Sequence, residues 1–308
     1  METGSKHIGD IEFVFPIDQR LEERPDPIIE DIIARDVLGD NGALLIQLAL
    51  EPLGVVVDVG CHIGRSSLPL AKYGIHDFIL IDGCKNSIKC VEESIKRNDL
   101  TNVRAVHAVV SHSNFKCMFS KVSDSRNRVG KDIGFWKSLW YHKHAHRITT
   151  KTVDQILGDT YCGTLIFDLE GYEMAAMHGA VGIIARDMPN LVVKFKSEYP
   201  LQYVIDIIHE LDYEAYYVHP PTAESRMPVL AKVQQPCQDC DPVFVVCFPK
   251  KRGIPPGLSV FRQDPPPTGN KQFDRRELLL EDITTIRPVR LNQISSKDQY
   301  DGHSIETR

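Results

Sequence analysis

The sequence predicts an α/β protein, a three-layer sandwich whose sheet is mostly parallel and carries an antiparallel terminal strand. Three observations lead there. Short hydrophobic runs alternate with helical segments along residues 54–252, which calls for parallel strands joined by crossover helices. The first run, "VVVDVGCHIG" at 55–64, drives a buried strand into Asp58 and then into a turn with Gly60 and Gly64 four apart. The second, "DFILIDG", also ends in an acid, Asp82. Acids at the carboxyl ends of adjacent strands sit where open α/β sheets bind ligands.

Taken in order, residues 1–25 read as a loosely ordered lead-in. "DPIIEDIIARDVLGD" has apolar residues at 28, 29, 32, 33, 37 and 38, a helical spacing that begins at a proline. "GALLIQLALEP" reads as a second helix ending before Pro52, so 1–53 forms an N-terminal helical cover. The domain proper, 54–252, starts with strand "VVVDV" and a short helix closed by Gly74. Strand "DFILID", helix "NSIKCVEESIKRND" and strand "RAVHAVVS" follow. Residues 112–150 break the pattern, and so long a connection reads as a lid-like functional insertion. Strand "GTLIFDLE", helix "YEMAAMHGAVGII", strand "NLVVKFKSEY" and helix "LQYVIDIIHELDY" resume it, and "EAYYVHP" with "PVFVVCFPK" reads as a closing hairpin-type addition. From Gly253 prolines are dense and periodicity is lost, so 253–308 is expected to be a flexible tail with one amphipathic segment, "DRRELLLEDITTI".

Composition bounds the function. A net charge of −6 over 308 residues argues against a general nucleic-acid-coating protein and leaves a local basic patch open. No run approaches the ~18 consecutive apolar residues of a membrane span, and "METGSKHIGDIEF" does not read as a secretory leader. Eight scattered cysteines in a chain this long read as free thiols in a reducing, cytoplasmic setting.

Spacing narrows the cofactor. A dinucleotide fingerprint needs G-x-G-x-x-G, whereas here Gly60 and Gly64 are separated by three residues, and no lysine follows Gly64 to make a phosphate-binding loop. A ligand with a ribose and no phosphates fits, with Asp82 gripping both ribose hydroxyls and Asp58 facing a charged amino-acid end. S-adenosylmethionine is that ligand.

The segments "DVGCHIG", "IDG", "NDLTNVRAVHAVVS" and "LIFDLEGYEMAAMHGA" together resemble the FkbM family of S-adenosylmethionine-dependent methyltransferases, over roughly residues 54–200. Asp58, Gly60, Ile63 and Gly64 match the family's first motif, while Cys61 and His62 depart from it. Asp168, Glu170, Gly171 and Glu173 match its D-x-E-G-x-E signature, followed by Gly179–Ala180. The resemblance implies a class I methyltransferase (Rossmann-like) fold and O-methylation of a hydroxyl on a sugar or small metabolite. Lys194 stands where the RNA 2′-O-methyltransferases keep the second lysine of a Lys-Asp-Lys-Glu set, with Asp168 at its aspartate and both Glu198 and Glu224 as candidates for its glutamate. An RNA acceptor therefore stays open, as does an inactive binding module that keeps the fold.

The expected site follows. Cofactor contacts fall to Asp58, Gly60, Cys61, His62, Gly64, Asp82, Gly83, Val110 and Asp168, with Cys61 a small packing residue. Asp168, Lys194 and His144 are the catalytic candidates, Asp168 to orient or deprotonate a hydroxyl. Glu170 and Glu173 fall in the first helical turn, where carboxylates are favoured. His142, His144 and His146 alternate in "WYHKHAHR", and the insertion interleaves Arg126, Arg128, Lys131, Lys137, Lys143 and Arg147 with Trp136, Trp140 and Tyr141. Such interleaving suits a sugar, a phosphorylated acceptor or an unstacked base. Cys237 and Cys240 have zinc-ligand spacing with Cys247 nearby, but no second pair completes four ligands, so no metal is expected.

Overall fold

The computed structural model describes residues 2–17, 26–34, 46, 49–74, 76–120, 129–130, 145–195, 208, 210–219, 229–232, 243–255 and 259–261. The chain opens with strands β1 (Glu2–Ile8) and β2 (Ile11–Ile17), an antiparallel hairpin paired from Glu2↔Ile17 to Ile8↔Ile11. This differs from the loose lead-in the sequence suggested. Its cause is local: Gly9 takes φ +60° in the Gly9–Asp10 turn, and Ile11, Phe13 and Val14 of "IEFVFPI" are buried. Helix α1 (Pro27–Ala34) follows, with Asp26 accepting from the Ile28 amide at 2.9 Å as its cap. Ile46 and Ala49 are helical, consistent with the expected second helix.

The alternation then runs β3 (Val55–Val59), α2 (Ser67–Tyr73), β4 (Phe78–Asp82), α3 (Lys85–Arg97) and β5 (Val103–His107). The insertion contributes β6 (Lys116–Ser120), β7 (Val129–Gly130) and β8 (Ala145–Thr149) as a separate antiparallel sheet of order β7-β6-β8. Next come α4 (Val153–Leu157), β9 (Cys162–Phe167), α5 (Glu173–His178), α6 (Val181–Asp187), β10 (Asn190–Phe195), β11 (Tyr213–His219), β12 (Val229–Lys232), β13 (Val243–Pro249) and β14 (Ser259–Phe261). The single helix expected over 172–184 is two. Gly179 lies so close to the Ser111 carbonyl that a side chain there would collide, and Asp154 caps the second piece through the amides of Gly182 and Ile183.

The main sheet has the order β14-β12-β11-β13-β10-β9-β3-β4-β5. β5, β4, β3, β9 and β10 are parallel, as expected. β13 is antiparallel to both its neighbours and is inserted between β10 and β11 rather than added at the edge. The fold is therefore the α/β class I methyltransferase arrangement, extended by β12 and β14. Ser259–Phe261, expected in the tail, pairs in parallel with β12. Residues 262–308 with the amphipathic "DRRELLLEDITTI" lie outside the described residues, as do Cys237 and Cys240.

Successive strand residues face opposite cores: Val56 packs with Leu68, Leu80 and Val91, whereas Val57 and Val59 pack with Leu165, Phe167 and Met177. Hairpin strand β2 joins the first core and is pinned to α3, where Ser94 Oγ accepts from the Val14 amide at 2.9 Å and Asn98 Oδ1 from the Glu12 amide at 2.9 Å. No helix among the described residues is long and apolar enough to cross a membrane.

Candidate active site

The order of strand addition reverses between the parallel strands β3 and β9: from β3 the chain winds outward to β4 and β5, and from β9 it winds the other way to β10. A crevice opens at the carboxyl ends of these strands, the switch point of an open α/β sheet. Its empty volume is about 590 Å³ including the open mouth, and among its lining residues are Gly60, His62, Asp82, Gly83, Val110 and Asp168. Val109, Phe119 and Tyr172 add apolar and aromatic wall.

Gly60 is required where it stands. Its φ is +98°, and a Cβ there would collide with the Asp168 carbonyl, so the first turn and the β9 turn touch backbone to backbone. Gly83 likewise has no room for a side chain, since a Cβ would stand 2.6 Å from Phe119. Asp82, at the end of β4, has both carboxylate oxygens oriented by amides: His62 N donates at 2.9 Å and Cys84 N at 2.6 Å. Burial pushes this carboxyl above its usual range, opposed by those amides.

Asp168 follows β9 and Lys194 lies on β10. The Lys194 Nζ stands 2.8 and 3.0 Å from the two Asp168 oxygens and 3.1 Å from Glu170 Oε1. Burial works against the ammonium, but the two carboxylates outweigh it and hold the lysine above its ordinary value. Lys194 is thus held in its charged form by the two acids. Glu170 belongs to this cluster and not to the first helical turn, a correction whose cause is backbone shape. Glu170 (φ +53°) and Gly171 (φ +103°) turn the chain left-handed ahead of α5, which swings the Glu170 side chain to Lys194. Glu173 does open the helix, and its Oε1 accepts from the amides of Leu169 and Gly171, each at 3.0 Å. Burial pushes its carboxyl up as well.

Three expected cofactor contacts do not line the crevice. Asp58 is 5% exposed and accepts the Ser67 hydroxyl at 2.5 Å, a contact that ties β3 to α2. Gly64, at φ +78°, gives its carbonyl to the Leu68 amide and starts that helix. Cys61 is buried, with its thiol pushed well up by burial and then by the Asp82 and Asp58 charges, as suits a packing residue. His144 lies outside the described residues. His146 falls on β8.

Sequence reasoning missed the anchor of His62. Its Nε2 stands 3.2 Å from Asp26 Oδ2, with Asp26 fully buried, so the residue that caps α1 also lies against a crevice imidazole. Asp26 before Pro27 was readable as a helix cap, but its long-range partner carried no local signal. Among the described residues no group of His, Cys, Asp or Glu is arranged to hold a metal. The described cysteines are free and buried.

No family model and no curated protein matches the chain. Solved structures do. A methyltransferase FkbM from Methylobacillus flagellatus KT aligns at 14% identity and a TM-score of 0.41, over 63% of this chain and 43% of that one. The chain thus spans less than half the length of that protein. An rRNA methylase from Streptococcus thermophilus aligns at 12% identity and a TM-score of 0.39, over 67% of this chain and 93% of that one. A SAM-dependent methyltransferase from Aquifex aeolicus aligns at 12% identity and a TM-score of 0.38, over 76% of this chain and 98% of that one. At such scores what the crevice does has to follow from its own residues.

Proposed function

We propose that the chain is an S-adenosylmethionine-dependent O-methyltransferase acting on a hydroxyl of a sugar or small metabolite. The observation that carries this is Asp82: a carboxylate at the end of β4, fixed through both oxygens by the His62 and Cys84 amides and facing the crevice at the switch point. Each oxygen keeps a second lone pair, so the pair suits the adjacent hydroxyls of a ribose. The rest of the crevice fits the same ligand. Gly60 and Gly83 clear its floor of side chains, Val109, Val110 and Phe119 offer apolar wall for a base, and Asp82, Asp168 and Glu170 suit a cation and oppose phosphate.

When bound, this cofactor supplies an activated methyl on a sulfonium, already a good leaving group. The chain contributes alignment and dehydration, which account for most of the acceleration in such a transfer. Asp168, 35% exposed and held by Lys194, accepts a hydrogen bond from the acceptor hydroxyl and aims its oxygen. Lys194 stays charged and keeps two adjacent acids from repelling each other.

The test is incubation with methyl-labelled S-adenosylmethionine against separated glycan, small-metabolite and RNA fractions, with calorimetry of the cofactor. Replacing Asp82 with Ala should weaken cofactor binding by about 2 kcal/mol, roughly 30-fold. An unchanged dissociation constant would remove the ribose assignment, and absence of label in every fraction would leave a binding module in place of an enzyme. A second reading, RNA 2′-O-methylation, is favoured by Lys194 beside Asp168 and by the basic insertion.

A further inference from the structure

We infer that Asp26 and His62 are a positioning pair for the cofactor: together they set where Asp82 stands, which makes the N-terminal hairpin and α1 part of the ribose site. This rests on the S-adenosylmethionine reading of the crevice. The starting observation is the backbone of His62. It takes φ +50°, a left-handed conformation uncommon outside glycine, in the loop that follows β3. Such a conformation persists only where its surroundings hold it. Two contacts flank the residue. Its amide donates to Asp82 Oδ2 at 2.9 Å, and its imidazole Nε2 stands 3.2 Å from Asp26 Oδ2. The other Asp26 oxygen accepts from the Ile28 and Ile29 amides, at 2.9 and 3.5 Å, and is thereby fixed to the start of α1.

The loop passes any displacement on to β4. Gly60 and Cys61 both donate to the Ile81 carbonyl, at 2.8 and 3.1 Å, and His62 donates to the next residue, Asp82. Three successive amides are therefore registered on the last two residues of that strand. The Gly64 amide closes the turn on the Cys61 carbonyl at 2.8 Å. A turn this tight moves as a body, so an imidazole without its brace lets the peptide at 62 rotate, and the carboxylate oxygen goes with it. Both ring nitrogens of His62 are buried, so its influence on a ligand has to pass through Asp82. Asp26 is in turn held by the N-terminal unit. Ile29 and Ile32 of α1 share a core with Ile11 and Phe13 of the hairpin, and Lys6 Nζ donates to the Ile33 carbonyl at 2.8 Å. A carboxylate as deep as Asp26 requires polar neighbours, and the His62 ring is one of them.

The experiment is calorimetric titration of the full chain with S-adenosylhomocysteine and with its 2′,3′-dideoxy analogue, which lacks both ribose hydroxyls. Wild type should prefer the first by about thirtyfold, the worth of hydrogen bonds to a charged oxygen. Asp26→Ser keeps an oxygen to cap α1, on a side chain too short for His62. His62→Asn tolerates the left-handed backbone and keeps the amide to Asp82, but removes the imidazole. In each, the preference should fall to about threefold, lower by the worth of one such bond, while the dideoxy analogue binds as it does to wild type. A merely structural role gives another result. Partial unfolding lowers the competent fraction and weakens both ligands alike, so their ratio stays at the wild-type value. The double variant should match either single one, because the two residues act as a unit. A wild-type ratio in either single variant overturns the inference, as do losses that multiply in the double variant; one folded single variant is enough for the test. Equal affinity of wild type for the two ligands would instead overturn the ribose assignment of Asp82, and the inference with it, so the two failures are told apart.

Discussion

Three side chains decide the chemistry at the residue scale, and they divide the work. Asp168 is placed by the end of β9 and neutralised by Lys194 at 2.8 Å. Asp168→Asn keeps shape and loses charge, so turnover should drop ~10²-fold or more with cofactor affinity nearly unchanged, since Asp82 carries that contact. Wild-type turnover in the variant would remove Asp168 from the reaction. Lys194 is held by two carboxylates rather than one, which argues against a lysine base and for a positioning role. Lys194→Met should leave Asp168 and Glu170 facing each other and cost on the order of 2 kcal/mol, below the ~3–5 of a fully buried pair because solvent reaches this one. Measurable transfer should survive, and Lys194→Arg should restore most of the stability. The folded value of this lysine is raised, so its contribution is complete below the ordinary 10.5 and is lost as the pH climbs beyond it. Chemical denaturation from pH 9 to 12 would show the wild type losing an advantage that Lys194→Met never had; parallel curves would refute the pairing.

The element that builds the site is the turn between β9 and α5, five residues whose shape is set by Glu173. Its one oxygen takes two amides that would otherwise point into a closed turn. Glu173→Ala should leave both without a partner and destabilise by about 1–3 kcal/mol. Glu173→Gln keeps the accepting oxygen and should cost much less. The sign of the pH effect follows from the raised carboxyl. The protonated form is favoured in the fold, so the stabilising contribution is full below the ordinary 4.5 and is lost as pH rises through the folded value. Melting curves from pH 4 to 7 should therefore converge for wild type and Gln at the acid end and separate above it, Gln gaining relative to wild type; the opposite order would refute the assignment. At this scale the sequence was uneven to read. The strand–acid–glycine runs declared β3, β4 and β9 and with them Asp82 and Asp168, because a fully buried parallel strand leaves an unbroken hydrophobic signal. The β1–β2 hairpin went unread although Gly9–Asp10 marks its turn, since "ETGSKHI" is one exposed strand with no apolar face to announce it. The Glu170–Lys194 contact was unreadable for a different reason: it depends on two consecutive positive-φ residues, which only the folded backbone displays.

For the whole molecule the open question is where the cooperative unit ends. Residues 253–308 lose periodicity and gather prolines, yet Ser259–Phe261 forms the outermost strand and covers the edge of β12. β12 itself is short, four residues, and without β14 it would present unpaired amides and carbonyls at the open edge of the sheet. Val229–Lys232 also braces β11, where Tyr216 opposes Lys232 and the Lys232 ammonium meets Glu214 at 2.5 Å. The boundary is therefore expected between 261 and the segments that follow, not at 252. A chain ending after Phe261 should melt in one transition at the full-length temperature and bind S-adenosylmethionine equally well, because β3, β4 and β9, which build the crevice, lie five or more strands from that edge. A chain ending after Gly253 should bind the cofactor but melt lower or associate through the bare β12 edge, with light scattering rising as concentration increases. Loss of the transition in the longer truncation would place "DRRELLLEDITTI" inside the folding unit, and identical melting of the two truncations would show that β14 contributes nothing to it.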